Sequence, residues 1–210
     1  MTIFLRSFFS LLYLTILFTM PISLANEVFD KNVEMAKNVI KLYKDEIFNE
    51  FSRSINLDIL DSTELAAGAD IRASKIIITS KTFQFFEGKE ILSVVCHEMG
   101  HFLGNKLLSP IKSTAALEGE ADYFSGKCIV RYLIDVLGYQ QENAINAALQ
   151  LSQDQARRNL NSNNLLATTA KNDVYSEGKI NQDYPSDDCR LLTVHHGIQD
   201  LPRPRCWYNP

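Results

Sequence analysis

The sequence predicts a single α+β domain in which helices dominate. Apolar residues recur at helical spacing across Glu27–Phe51, a β-branched run flanked by charge occupies Ser74–Ser80, and three further helical stretches follow residue 87. The chain has 210 residues, of which 46% are hydrophobic and 22% charged. That is enough for one packed core and too few for two ordinary domains.

The first 25 residues have the layout of a secretory signal peptide. Arg6 supplies a positive charge, an apolar stretch runs from Phe8 to Met20, and Ala25 is the small residue that a signal peptidase requires. The apolar stretch is shorter than the roughly 20 residues of a membrane-spanning helix, which favours cleavage after Ala25 over an uncleaved anchor. We therefore expect residues 1–25 to be removed and residues 26–210 to form a periplasmic or secreted domain without stable membrane insertion.

The remaining elements are predicted from periodicity and from residues that start or stop helices. We expect, in order, a helix over Glu27–Phe51, strands at Ile55–Leu60 and Ser74–Ser80, and helices over Glu87–Phe102, from Ser113 or Thr114 to about Leu137, and over Gln141–Leu160. The polar residues Asn161–Asp188 are predicted to be mostly loop. The tail Cys189–Pro210 is predicted to be packed irregular structure.

Four cysteines lie in the mature chain, and an even number in an exported protein indicates disulfides. Cys189 and Cys206 flank a proline-rich segment, so this pairing is preferred. Cys96 and Cys128 lie in apolar helical surroundings, where they form either a second bridge or two buried thiols. The chain has no CxxC pair, which disfavours a zinc site built from cysteines.

The segment His97-Glu98-Met-Gly-His101 carries the strongest chemical signal. Residues four apart on a helix lie on one face, so both imidazoles can place a nitrogen about 2.0–2.1 Å from one Zn²⁺ ion. Glu98 lies one step round the helix, where it can act as general base on a water molecule bound to the metal.

The following helix offers a third protein ligand. Glu118 and Asp122 are four residues apart and share a face, so Glu118 can complete the ligand set while Asp122 accepts a hydrogen bond from a ligating imidazole. Glu120 is a competitor, but it lies about 200° from Glu118 around the helix. We prefer Glu118 because only this choice places Asp122 on the same side.

The two motifs together resemble the gluzincin metallopeptidases. The segment EGEADYFSG in particular resembles the family that contains the CAAX prenyl protease, the HtpX protease and the periplasmic β-barrel-assembly-enhancing protease, and the resemblance covers roughly Ala69–Arg190. It implies a zincin-like domain with one Zn²⁺ ion and a sheet edge above the HExxH helix. Ser74–Ser80 lies where that edge should be, so substrate is expected to add a strand at Ile76–Thr79.

The same family carries a C-terminal His-Pro-x-x-x-x-Arg element. This chain has Tyr184-Pro185 followed at the same spacing by Arg190, with tyrosine in place of histidine. Tyr184 is therefore a candidate donor to the oxyanion, and His195, next to His196, is another. Three outcomes are open for Arg190: it holds a nearby carboxylate, it holds a backbone group, or it is exposed to solvent.

These inferences predict an exported zinc-dependent endopeptidase that acts on extended or unfolded polypeptides. The absence of a long basic run argues against nucleic acid as a partner. One alternative is a non-catalytic zinc-binding envelope protein with a chaperone-like or scaffolding role. Another is a latent enzyme whose fourth metal position is blocked by a tail residue such as His195 or Tyr184. An intact Glu98 favours the enzyme, because a purely structural site needs no base.

Overall fold

The computed structural model describes residues 26–86, 88–104, 118–160, 179–180, 187–204, 206 and 208–209. Within these ranges the chain is α+β and mostly helical, as predicted, with a small three-stranded sheet. The predicted signal peptide, the helix start at Ser113 or Thr114, and Tyr184 lie outside the described residues.

Up to residue 160, the predicted helices and strands that fall within the described residues are present with similar bounds, and the structure adds a strand (Ala67–Asp70) and a short helix (Ser80–Phe85) that were not predicted. The helices are α1 (26–42), α2 (Lys44–Phe51), α3 (Ser80–Phe85), α4 (Lys89–Leu103), α5 (Glu118–Asp135), α6 (Gln141–Leu160) and α7 (Asp187–Ile198). The strands are β1 (Asn56–Leu60), β2 (Ala67–Asp70), β3 (Lys75–Thr79), β4 (Lys179–Ile180) and β5 (Tyr208–Asn209). The predicted first helix is divided at Tyr43, whose backbone (φ −107°, ψ 12°) departs from helical geometry.

Strand β3 lies in the middle of the three-stranded sheet. It pairs in parallel with β1 and antiparallel with β2, so the prediction that Ile76–Thr79 forms an open edge is wrong. Ile76 and Ile78 are fully buried, and a run of isoleucine suits a strand covered on all sides better than an edge. The edges are β1 and the short strand β2, which packs against α4.

Helix α5 lies between α4 and α7 and contacts both closely. A Cβ added at Gly100 of α4 would lie 2.6 Å from Ala121 Cα of α5. On the other side, a Cβ at Gly126 or Gly197 would overlap the backbone of the neighbouring helix. Glycine at these positions lets the three helix backbones approach to distances that any side chain would prevent.

Two disulfides join these elements. The bridge that we preferred from the sequence, Cys189–Cys206, is present and ties α7 to the C-terminal segment. Cys96 and Cys128, for which two outcomes were open, also form a bridge, and it ties α4 to α5. Cysteine usage thus fits the oxidising compartment that we expected for this chain.

Helix α7 was not predicted. Its sequence carries the signals of a helix, with Asp187 and Asp188 in the first turn and buried Cys189, Leu192 and Thr193 on one face. The prediction of an irregular tail is therefore wrong for residues 189–198. The prolines at 202 and 204 indicated irregular structure for the whole tail, but both lie beyond the end of the helix at Ile198. None of the described helices is both long and apolar enough to cross a membrane.

Candidate metal centre

Helix α4 carries the paired histidines on the side turned toward α5. Its other sides are buried in the core through Ile91, Leu92, Val95 and other apolar residues, which fixes the rotation of the helix. The rings of His97 and His101 are perpendicular, with centroids 4.8 Å apart. Both side chains are largely buried.

Helix α5 begins at Glu118 and brings its carboxylate to the two imidazoles. Glu118 Oε2 lies 3.2 Å from His97 Nε2, and Oε1 lies 3.6 Å from His101 Nε2. One possible ligand atom from each of the three side chains lies within 4.8 Å of the other two. A tetrahedral ion with bonds of 2.0–2.1 Å separates its ligand atoms by about 3.3 Å. The donor set therefore fits a zinc-sized ion with only small movements.

Asp122 and Arg190 form hydrogen bonds with the candidate ligands and fix their orientation. Asp122 Oδ1 lies 2.8 Å from His97 Nδ1, which leaves Nε2 of His97 turned toward Glu118. Arg190 of α7 donates to both oxygens of Asp122, at 2.8 and 2.9 Å, and to Glu118 Oε2 at 3.2 Å. Arg190 thus orients two carboxylates at once, one of which in turn orients an imidazole.

Glu120, the competing ligand, faces a different part of the molecule. Arg203 Nη2 donates to Glu120 Oε2 at 2.6 Å, and its guanidinium lies 4.4 Å from the ring centre of Tyr123. Glu120 therefore anchors the C-terminal segment to α5. The helical geometry that separates Glu118 from Glu120 produces this division of roles.

The charged side chains of the cluster shift one another's pKa values. Burial alone would lower the pKa of His97, but hydrogen bonds with Asp122 and Glu118 raise it to about 9. The hydrogen bond with His97 is the largest cause that lowers the pKa of Glu118 to about 2. The same nitrogen of His97 that faces Glu118 can hold either a proton or a metal ion, so the two states exclude each other.

Glu98 lies beside the candidate ligands and is itself buried, with 7% of its surface exposed. Its Oε2 is 4.0 Å from His101 Nε2. Burial raises the pKa of Glu98 to about 7, the range in which a carboxylate exchanges protons most readily near neutral pH. His97 and Glu98 both line a cleft of about 750 Å³ that opens to solvent.

The two candidate oxyanion donors have different outcomes. Tyr184 lies outside the described residues, and its role stays a prediction. His195 lies on α7 and not in a loop, and its Nε2 is 2.7 Å from Ser152 Oγ of α6. Burial lowers the pKa of His195 to about 4, so the ring is neutral at physiological pH. Its role as an oxyanion donor also stays a prediction.

Several residues of the cleft were not identified from the sequence. Leu65, Phe85 and Glu90 line it together with the candidate catalytic side chains. Glu90 lies seven residues before His97 on the same helix face, so helical periodicity could have identified it. Leu65 and Phe85 come from a connection and a short helix, and no local sequence signal points to them.

Comparisons with protein-family models, with curated proteins and with solved structures found no match for this chain. The function is therefore inferred from the geometry of the described residues.

Proposed function

We propose that this protein is an exported zinc-dependent endopeptidase with a zincin-like, gluzincin-type site. The observation that carries the proposal is the convergence of His97, His101 and Glu118, with Glu98 beside them in an open cleft. Three protein ligands with space for a fourth, non-protein ligand are typical of catalytic rather than structural zinc sites. Both disulfides support the exported location.

The donor set suits zinc by its chemistry as well as its spacing. Two imidazole nitrogens and one carboxylate oxygen are ligands that zinc prefers, and Asp122 fixes the tautomer of His97 so that Nε2 is the ligating atom. A Zn²⁺ ion held there would supply a Lewis acid for the substrate carbonyl and a lowered pKa for a water molecule.

Glu98 performs the proton transfers in this proposal. Its carboxylate takes the proton of the attacking water and later gives it to the leaving amine. Arg190 and Asp122 hold the imidazole of His97 in place throughout. The oxyanion that forms needs a further donor, for which Tyr184 and His195 are the candidates.

The substrate class follows from the sheet edge nearest α4. Strand β2 is an edge strand that packs against α4, and its first three residues are Ala67, Gly68 and Ala69. A Cβ added at Gly68 would meet nothing within 4 Å, so the face of the sheet is open at this position. An extended polypeptide can therefore pair with β2, in place of the edge that the sequence predicted on β3.

The test compares glutamine variants of three glutamates in the mature protein. Glu98→Gln should retain one zinc per chain by elemental analysis. It should hydrolyse unfolded casein at least about 1,000-fold more slowly than the wild type, because the general base is missing. Glu118→Gln should lose zinc as well as activity. Glu120→Gln is the matched control on the same helix and should keep both zinc and activity.

The outcomes separate this proposal from its alternatives. A wild-type protein that holds zinc but never cleaves casein would support the non-catalytic envelope protein. Activity that appears only after trimming of the C-terminal tail would support the latent enzyme. Hydrolysis that persists in Glu98→Gln would contradict the proposed mechanism.

A further inference from the structure

A second groove lies at the edge of the three-stranded sheet that is formed by β1. It opens where α1 and α2 meet the start of this strand, has a volume of about 390 Å³, and is called the β1 groove below. Its described lining residues are Lys37, Ile40, Lys41, Lys44, Ile47 and residues 54–57. None of them lines the cleft beside the candidate metal centre. The β1 groove is therefore a separate surface from the candidate active site.

The floor of the β1 groove is apolar. Ile47 and Ile55 line it and are buried, with 1% and 6% of their surface exposed. Ile40 and Leu57 also line it and are partly buried against the core. Apolar side chains of a bound molecule would lose contact with water on this floor, which favours binding.

Three lysines surround this floor. Lys37 and Lys41 are four residues apart on α1, Lys44 begins α2, and all three are exposed. Within the described part of the chain, none of the three forms an ion pair and no carboxylate lines the groove. Glu46, two residues after Lys44, pairs instead with Arg131 of α5 at 2.6 Å. Positive charge is thus concentrated here in a chain whose net charge is −4, which favours an anionic partner.

Strand β1 offers backbone groups beside the same groove. The N–H group of Asn56 donates to the carbonyl oxygen of Ser74 at 3.0 Å, so Asn56 is directed toward β3. Successive residues of a strand alternate, so the N–H and C=O groups of Leu57 and Ile59 point away from β3. No described strand pairs with them.

This edge also lacks the usual protection against strand addition. Natural edge strands are commonly protected by charged side chains or by a covering element. Ile59 and Leu60 are instead 36% and 48% exposed. Asp58, the charged residue of β1, pairs with Lys75 of the neighbouring strand at 2.8 Å. The edge is therefore apolar and open among the described residues.

We propose that the β1 groove binds an extended, acidic segment of another polypeptide, which adds a strand to β1. The backbone of the segment pairs with Leu57 and Ile59. On the side that faces the helices, its apolar side chains pack on the floor and its carboxylates meet the three lysines. A second copy of this chain is a poorer occupant, because symmetric pairing of two β1 edges would bring the same lysines together. The inference does not depend on the proposed peptidase function.

Binding of short peptides tests the groove. Mature Glu98→Gln protein, which should not consume the ligand, is titrated with a fluorescent peptide in which valine and glutamate alternate at even positions and threonine occupies the odd ones. This order places valine and glutamate on one face of an extended strand. By fluorescence anisotropy at low salt, the peptide should bind about tenfold more tightly than its glutamine counterpart, since three cations contribute. The preference should shrink at about 0.5 M salt.

A third peptide tests strand addition. It keeps the glutamates but is N-methylated at alternate residues, which removes the donors that would pair with β1. We expect it to bind at least about tenfold more weakly than the unmodified peptide. Binding of equal strength would show that the backbone of β1 is not used, and would overturn the inference.

Two triple variants with the same change in net charge locate the binding site. The first replaces the lysines of the groove with glutamine, and the second replaces three exposed lysines elsewhere, Lys31, Lys81 and Lys127. The groove variant should lose most of the preference for glutamate over glutamine, and the control variant should keep it. If the groove variant does not fold, Lys41→Gln alone should halve the preference, whereas Lys31→Gln should not change it.

The remaining outcomes are equally decisive. Equal binding of the glutamate and glutamine peptides, or an equal effect of both triple variants, would overturn the inference. Vesicles of phosphatidylglycerol that bind the protein through the groove lysines, when no peptide binds, would assign the groove to a membrane surface instead. Hydrolysis of casein by a protein that fails these binding tests would leave the proposed peptidase intact and contradict only the β1 groove.

Discussion

Substitution of Gly100 by alanine tests whether the close approach of α4 and α5 sets the metal geometry. The added Cβ would lie 2.6 Å from Ala121 Cα and 2.7 Å from its carbonyl oxygen, whereas ordinary contact begins at 3.4 Å. Both obstructing atoms belong to the backbone, so the helices must separate by roughly 0.8 Å to restore normal contact. His101 is one residue away, and Glu118 is three residues from Ala121, so the separation acts directly on the ligands.

Two opposing contributions determine how Gly100→Ala changes the free energy of unfolding. Overpacking of this kind destabilises a protein by about 1–3 kcal/mol, and the higher helix propensity of alanine offsets about 1 kcal/mol of it. We therefore expect Gly100→Ala to fold with a net loss of up to about 2 kcal/mol. Metal sites tolerate errors of only about 0.2 Å in ligand distances, so zinc affinity should fall on the order of 100-fold.

Competition with a chromophoric chelator measures the zinc affinity, and chemical unfolding measures the stability. Gly68→Ala is the control, because a Cβ there meets no atom within 4 Å, and it should leave zinc affinity unchanged. If Gly100→Ala binds zinc as tightly as the wild type, the contact between the two helices does not determine the spacing of the ligands, and this reasoning is refuted.

Three further predictions concern protonation, orientation and cross-linking. The pKa of His97 is raised to about 9, so zinc binding at pH 7 should displace about one proton from this ring. Zinc affinity should therefore rise about tenfold per pH unit toward pH 9. Calorimetry in buffers of different ionisation enthalpy measures the number of protons released, and release of none would contradict the prediction. Arg190→Gln should weaken zinc binding about 10–100-fold in the chelator assay, whereas Arg131→Gln, which breaks an exposed ion pair, should not. Replacement of Cys189 and Cys206 by serine should lower the free energy of unfolding by about 3 kcal/mol, measured in urea, while an unchanged stability would show that the bridge constrains little.

The parts of the site that follow from one helix could be predicted from the sequence. The spacing of His97 and His101 and the shared face of Glu118 and Asp122 need only the helical repeat. The same repeat separated Glu118 from Glu120, and the structure turns Glu120 to Arg203. Local periodicity thus identified the side chains that converge in the structure before any tertiary contact was known.

The parts that depend on how elements meet could not be predicted in this way. An isoleucine-rich strand indicates burial, but not that β3 would have a neighbour on each side. The double contact of Arg190 requires α7 to lie against α5, which in turn requires glycine at Gly126 and Gly197. The pairing of Cys96 with Cys128 likewise depends on the crossing of α4 and α5, for which the cysteine spacing gives no signal.

The bridge between Cys96 and Cys128 has a consequence for limited proteolysis. It spans 32 residues of sequence, a stretch that contains residues 105–117, the connection between the helices that carry the paired imidazoles and the carboxylate. A single cut in that connection would yield a two-chain form whose halves stay covalently joined next to the candidate metal ligands. Nicked protein should therefore keep its zinc until a reducing agent is added, and then release it.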